Sequence, residues 1–144
     1  MSRRMWLIRG LSGSGKSTLG RILAGSSYLH EADNYFVGGD GVYRFDPSKL
    51  AEAHKKCLYD ATINSNHDVF VCNTFTQRWE MEPYLAHARS KGMEVRVIAV
   101  STNLTDEQLA ARNVHGVTAD VIAAQRSRFE HDWENGNPIA PWLR

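Results

Sequence analysis

Short apolar runs recur along the chain, separated by longer stretches in which apolar positions fall three or four residues apart. Met5-Trp6-Leu7-Ile8 is continuous and predicts a buried strand over Met5–Arg9. Lys16–Ala24 carries Leu19, Ile22 and Leu23 at helical spacing, and Gly25 is suited to stop that helix. Ser27–Ala32 reads as a weaker second strand ending at Asp33. The glycines between Val37 and Gly41 predict a loop or loose hairpin, with Tyr35, Phe36, Tyr43 and Phe45 interleaved around it. A helix is predicted from Pro47 to about Asn64, with Leu50, Ala53, Cys57, Leu58 and Ala61 facing inward. Asp68–Cys72 is a third strand, Trp79–Lys91 a helix closed by Gly92, and Glu94–Val100 a fourth strand. Thr105–Asn113 is a helix with Thr105 as N-cap and Gln108 completing a capping box. Gly116 breaks the pattern, Thr118 to about His131 forms a last helix, and the tail from Gly136 is irregular.

Strands alternate with helices from end to end, which predicts an α/β fold with a mainly parallel sheet and helices on both faces. The 144 residues contain no repeat, low-complexity tract or linker and read as a single domain. Composition adds exclusions. With 42% hydrophobic residues, 23% charged residues and a net charge of +1, the chain is an ordinary globular domain. Any nucleic-acid contact would need a local basic patch. Its two cysteines, Cys57 and Cys72, have no CxxC partner and argue against a disulfide scaffold or a structural zinc site. No apolar run approaches the ~20 residues of a membrane span, and the first is too short for a signal-peptide core. The expectation is a cytoplasmic chain with no membrane partner; the oligomeric state is left open.

The candidate chemistry begins at Gly10-Leu11-Ser12-Gly13-Ser14-Gly15-Lys16-Ser17, a full Walker A pattern placed between a predicted strand and a predicted helix. Gly10, Gly13 and Gly15 let the backbone curl into a nest of N–H groups, and the helix adds its positive end. Gly13, Ser14, Gly15, Lys16, Ser17 and Thr18 are therefore the expected contacts of ATP or GTP. Lys16 serves the β- and γ-phosphates and Ser17 serves Mg²⁺. Asp33, at the carboxyl end of the second strand, is placed to take the proton of an attacking hydroxyl or to help hold the metal. The metal candidates are thus Ser17 and Asp33. Asp40 and Asp46 read as turn formers. The residue after the third strand is Asn73, where an acid is usual in P-loop proteins; Asn73 and Thr74 are candidate substrate contacts. So are Tyr35 and Phe36, which with Tyr43 and Phe45 either stack a base or form a small core beneath the loop. Arg112 and His115, between the last two helices, are candidates to close over the phosphates, with Arg126 and Arg128 behind them.

Taken in order, Arg9 to Thr18, Glu31-Ala32-Asp33-Asn34-Tyr35-Phe36, Asn73-Thr74-Phe75, Trp79 to Tyr84 and Arg112-Asn113-Val114-His115-Gly116-Val117 resemble the polynucleotide-kinase-like branch of the P-loop kinases. The similarity extends to small phage ATP-binding proteins and to the P-loop domain of the Nedd4-binding-protein-2-like family. It covers Met5 to about Glu130. The resemblance implies a P-loop kinase core with a helical lid at about 104–118. It puts the catalytic roles on Lys16, Asp33 as general base and Arg112 as lid arginine, with His115 where a second lid arginine stands. The position of the family's acceptor-phosphate arginine is Phe36 here, and the third-strand acid is Asn73. The implied function is an ATP- and Mg²⁺-dependent kinase acting on a hydroxyl, with nucleic-acid 5′-hydroxyls favoured as acceptors. The alternatives are a kinase of a nucleoside, modified base or other small molecule, and a nucleotide-dependent switch or ATPase that regulates a partner.

Overall fold

The computed structural model describes residues 3–63 and 66–144. The expected end of the second helix at Asn64, and part of the turn that follows it, lie outside those residues. Four parallel strands form one sheet in the order β2-β3-β1-β4: β1 (Arg4–Arg9), β2 (Leu29–His30), β3 (Val69–Cys72) and β4 (Glu94–Ala99). In register, Met5 stands beside Val69 and Val95, and Leu7 beside Val71 and Val97. Side chains alternate across a strand, so this row faces one side of the sheet. There it meets the buried residues of α2 (Leu50–Ile63) and α3 (Arg78–Ser90), among them Ala53, Cys57, Ala61, Met81, Leu85 and Ala88. The opposite face carries α1 (Lys16–Ala24). A smaller cluster of Leu11, Leu109 and Ile122 joins the glycine loop to α4 (Asp106–Arg112) and α5 (Ala119–Arg128). No helix among the described residues is long and apolar enough to cross a membrane.

Several elements differ from the periodicity. Ile22 is 72% exposed; α1 packs through Gly20 and Ala24 instead. A side chain at Gly20 would lie 3.1 Å from the Leu29 methyls, so a small residue sets this contact where the apolar spacing suggested larger ones. The second strand is two residues long. Ala32–Phe36 turns into a 3₁₀ helix as the Ala32 amide leaves the ladder and donates to Asn73 Oδ1 (2.9 Å). Pro47–Lys49 is likewise a 3₁₀ turn capped by Asp46, which leaves Leu50 exposed. The third helix starts one residue early because Gln77 and Glu80 form a capping box. The capping box of Thr105 and Gln108 lies where the sequence placed it. The last helix stops at Arg128, short of His131: the Glu130 amide donates to the Thr76 carbonyl (2.7 Å), and the Phe129 ring lies under the Arg9 guanidinium at 4.1 Å. In the tail, Trp133 packs against the main core and Trp142 meets Trp79 edge-on at 5.1 Å.

Candidate active site

The glycine loop leaves the carboxyl end of β1, a central strand, and enters α1 at Lys16. This is where a parallel α/β sheet gathers ligands. Gly13 (φ 80°) and Gly15 (φ 95°) hold the left-handed conformation that builds an anion-binding concavity of amides. The loop is braced from the far side. The Ser12 amide donates to Gln125 Oε1 (3.1 Å) and Gln125 Nε2 donates to the Ser12 hydroxyl (3.0 Å), with Gln125 itself buried. A Cβ at Gly13 would lie 2.5 Å from the Leu109 carbonyl oxygen of α4. Gly13→Ala therefore combines a positive φ with a backbone clash. It is expected to lower stability by about 2 kcal/mol or more and to weaken ATP binding at least tenfold. Urea denaturation and calorimetric titration check both; unchanged ATP affinity would argue against α4 resting on the loop.

Lys16 Nζ donates to the Leu11 carbonyl at 3.4 Å. Burial pulls its pKa below the ordinary lysine value, and the carboxylates of Asp33 and Glu31 pull the other way. The Ser17 hydroxyl donates to Glu31 and lies 3.9 Å from the Cys72 sulfur. Burial, then Glu31, pushes the Cys72 thiol up to about 12, so it stays protonated. The oxygens of Ser17 and Glu31 suit a hard divalent cation such as Mg²⁺. No group of three or more His, Cys, Asp or Glu among the described residues forms a metal cluster, so phosphate and water would complete the shell. The Ser14 hydroxyl is buried with no partner among the described residues, as expected of a group that meets a ligand. Thr18 is exposed one residue further along α1.

Asp33 sits on the 3₁₀ turn after β2 and is gripped from two sides. The Tyr43 hydroxyl donates to Oδ1 at 3.3 Å, and His115 Nε2 lies 3.4 Å from Oδ2. The Tyr43 and His115 rings are 4.2 Å apart between centroids. Burial and then Asp33 push the Tyr43 phenol well above its usual range, which keeps it a donor. His115 is delivered by a turn built on one side chain. Asn113 donates from Nδ2 to the Ala110 and Val117 carbonyls (2.8 Å each) and accepts at Oδ1 from the amides of His115 (3.1 Å) and Val117 (2.9 Å). Arg112, exposed at the end of α4, brings Nη2 to 3.9 Å from where a Cβ on Gly15 would stand. Among the described residues its guanidinium has no ion pair or hydrogen bond.

Lys16, Ser17, Asp33, Arg112 and His115 thus converge around one loop. The four candidate substrate contacts are placed differently. Phe36 is buried in the main core, edge-on to Tyr35, Tyr43 and Phe45, so its ring belongs to a small core beneath the loop. The Tyr35 hydroxyl donates to Glu52 at 2.7 Å. Asn73 is buried, and besides holding Ala32 it donates to the Cys57 sulfur at 3.7 Å. The Thr74 carbonyl accepts from the Gly10 amide at 3.3 Å. Asp40 pairs with Arg44 at 2.8 Å and Asp46 caps Ser48, both as turn formers. Arg126 pairs with Asp106 at 2.8 Å, and Arg128 donates to the Thr76 hydroxyl at 3.2 Å, so both are structural. Sequence reasoning did not give Glu31, Asn113 or Gln125 a role, and it read Tyr43 as a base-stacking or core ring, not as the partner of Asp33. Glu31 at a strand end and Asn113 inside the Arg112–Val117 motif left signals that pointed to the site; Gln125 left none.

A family model described as an AAA domain matches residues 5–131. The chain belongs to this family, within the P-loop kinases. It is 33% identical over 135 residues to NEDD4-binding protein 2 of Homo sapiens, an overlap of 86% of this chain and 7% of that protein. The chain therefore spans only a small part of that relative. A chain in the Pnkp1/Rnl/Hen1 RNA repair complex superposes with a TM-score of 0.67 at 13% identity, covering 99% of this chain and 51% of that one. The APS kinase CysC of Mycobacterium tuberculosis, in complex with AMPPNP and APS, superposes with a TM-score of 0.57 at 22% identity over 86% and 75% of the two chains. At these identities the superpositions establish the shared P-loop kinase fold.

Proposed function

We propose that this P-loop kinase domain is an ATP- and Mg²⁺-dependent phosphotransferase that moves the γ-phosphate to a hydroxyl. The observation that carries the reading is the position of Asp33. A carboxylate stands beside the phosphate-binding loop and under a turn that brings His115 onto it and Arg112 over Gly15. The acceptor oxygen attacks the γ-phosphorus in line, the bond to the β–γ bridging oxygen breaks, and ADP leaves. Asp33 takes the acceptor's proton through one of its carboxylate oxygens. Lys16 and Arg112 offset the charge that spreads over the transferring group, and the amides of the loop fix its orientation. Mg²⁺ held beside Ser17 supplies further neutralisation of phosphate charge when bound. Residues 104–118 act as the lid that excludes water, with the Tyr43 loop as its counterpart.

For the acceptor, a nucleic-acid 5′-hydroxyl is the reading favoured by the family resemblance and by the likeness to a chain of an RNA repair complex. A small hydroxyl compound is favoured by one specific observation: Phe36, where the resemblance puts an acceptor-phosphate arginine, is buried in the core. Incubation with γ-labelled ATP separates the two. Label on an oligonucleotide with a free 5′-hydroxyl supports the first, and label on a nucleoside or other small hydroxyl compound supports the second. Label released only as inorganic phosphate, at a rate changed by a partner, would replace both with a nucleotide-dependent switch.

A further inference from the structure

Ser17 has one carboxylate on it, and that carboxylate is not Asp33. Its hydroxyl donates to Glu31, whereas both oxygens of Asp33 are engaged by Tyr43 and His115. Glu31 is extended (φ −138°, ψ 138°) and is followed by the Ala32 amide that Asn73 holds from β3. That anchor fixes where the strand ends, and so separates the two acids: one on each side of Ala32, each on a different partner. Asn73 is itself uncharged and already committed to Ala32 and Cys57, so it brings no negative charge to the loop. We infer that Glu31 is the acid that holds the divalent cation of the nucleotide beside Ser17, directly or through a metal-bound water. Asp33, held by Tyr43 and His115 and not by Ser17, keeps the role of base.

The chemistry of the donor set supports this division. Mg²⁺ takes oxygen ligands, commonly one or two carboxylates with phosphate oxygens and retained water. A serine hydroxyl already in contact with a carboxylate offers that pair without rearranging the backbone, and a nucleotide supplies the remaining oxygens. Lys16 balances the charge, since Glu31 and Asp33 are both among the groups that raise its proton affinity. An acid on each side of Ala32 lets one segment serve both the metal and the acceptor, so a single anchor, Asn73, aligns the two roles.

This inference rests on the proposed nucleotide–metal site, and its test does not depend on finding an acceptor. Mn²⁺, which shares the oxygen preference of Mg²⁺, is titrated into the full chain with saturating ADP while free Mn²⁺ is read by electron paramagnetic resonance. Glu31→Gln is expected to weaken Mn²⁺ binding about tenfold or more. ADP affinity in EDTA should stay near wild type, which shows that the fold and the loop are intact. Asp33→Asn should stay within about threefold of wild type for Mn²⁺, and Glu31→Asp should recover part of the loss. Mn²⁺ affinity unchanged in Glu31→Gln, or lost in Asp33→Asn instead, would overturn the assignment while leaving the kinase reading intact. Wild-type chain that binds ADP but gains no Mn²⁺ affinity from it would overturn the metal site itself.

Discussion

Asp33→Asn is expected to lower phosphoryl transfer by 10²–10⁴-fold, the usual worth of a positioned general base, while ATP binding changes by less than about threefold. The separation follows from geometry. The amides that cradle phosphate belong to Gly13–Ser17, and Asp33 lies outside that loop on the turn after β2. Asparagine keeps the shape and still accepts from Tyr43, while the contact with His115 of the lid is weakened. Single-turnover transfer with labelled ATP, read beside equilibrium binding of a non-hydrolysable analogue, separates the two effects. Transfer at a near wild-type rate would remove Asp33 as the base. Equal loss of binding and transfer would make it a structural residue of the lid.

Arg9→Met is expected to destabilise the domain by about 2–6 kcal/mol, since two buried carbonyls lose a charged donor at about 1–3 kcal/mol each. That is a large share of the 5–15 kcal/mol typical of a domain. Arg9 is fully buried at the end of β1 and donates to the carbonyls of Phe75 (2.9 Å), Thr76 (3.1 Å) and Glu130 (2.8 Å). Two of these acceptors are consecutive because Phe75 adopts φ 44°, a left-handed conformation that is unfavourable for a bulky side chain. The charge-assisted bonds to Arg9 offset that strain. Methionine keeps much of the volume but takes this donor from the Phe75 and Glu130 carbonyls, each costing about 1–3 kcal/mol, while the Thr76 carbonyl keeps the Glu130 amide. Urea denaturation gives the magnitude. Arg9→Lys should recover only part of it, because an ammonium cannot reproduce the planar fork. A loss below about 1 kcal/mol would mean that water replaces the guanidinium and that the twist at Phe75 is maintained by packing alone.

The long elements and the phosphate loop were legible because their signals are local. Apolar spacing, the capping box at Thr105 and the glycine loop between strand and helix all lie within a few residues of the structure they predict. The misread boundaries share a different cause. β2 ends early through Asn73, 41 positions away in the chain from Ala32, and α5 ends early through Thr76 and Arg9. In each case one long-range hydrogen bond or ring contact outweighs a propensity worth only tenths of a kcal/mol per residue. The candidate site divides in the same way. Lys16, Ser17 and Asp33 were visible as a motif and a strand end, and Arg112 and His115 through a family resemblance. Gln125 had no local pattern to mark it, and the partners of Tyr43 and Asn113 were not legible, since each acts on a group chosen by the fold.

The sequence by itself determined a P-loop α/β kinase domain and the shape of its glycine loop, because a nest of amides is specified by glycine positions within eight consecutive residues. Only the tertiary structure decided what each acid touches. Glu31 and Asp33 are two residues apart and chemically alike. One faces Ser17 and the other faces Tyr43 and His115, because Asn73 fixes the backbone between them and Asn113 carries the lid down to Asp33.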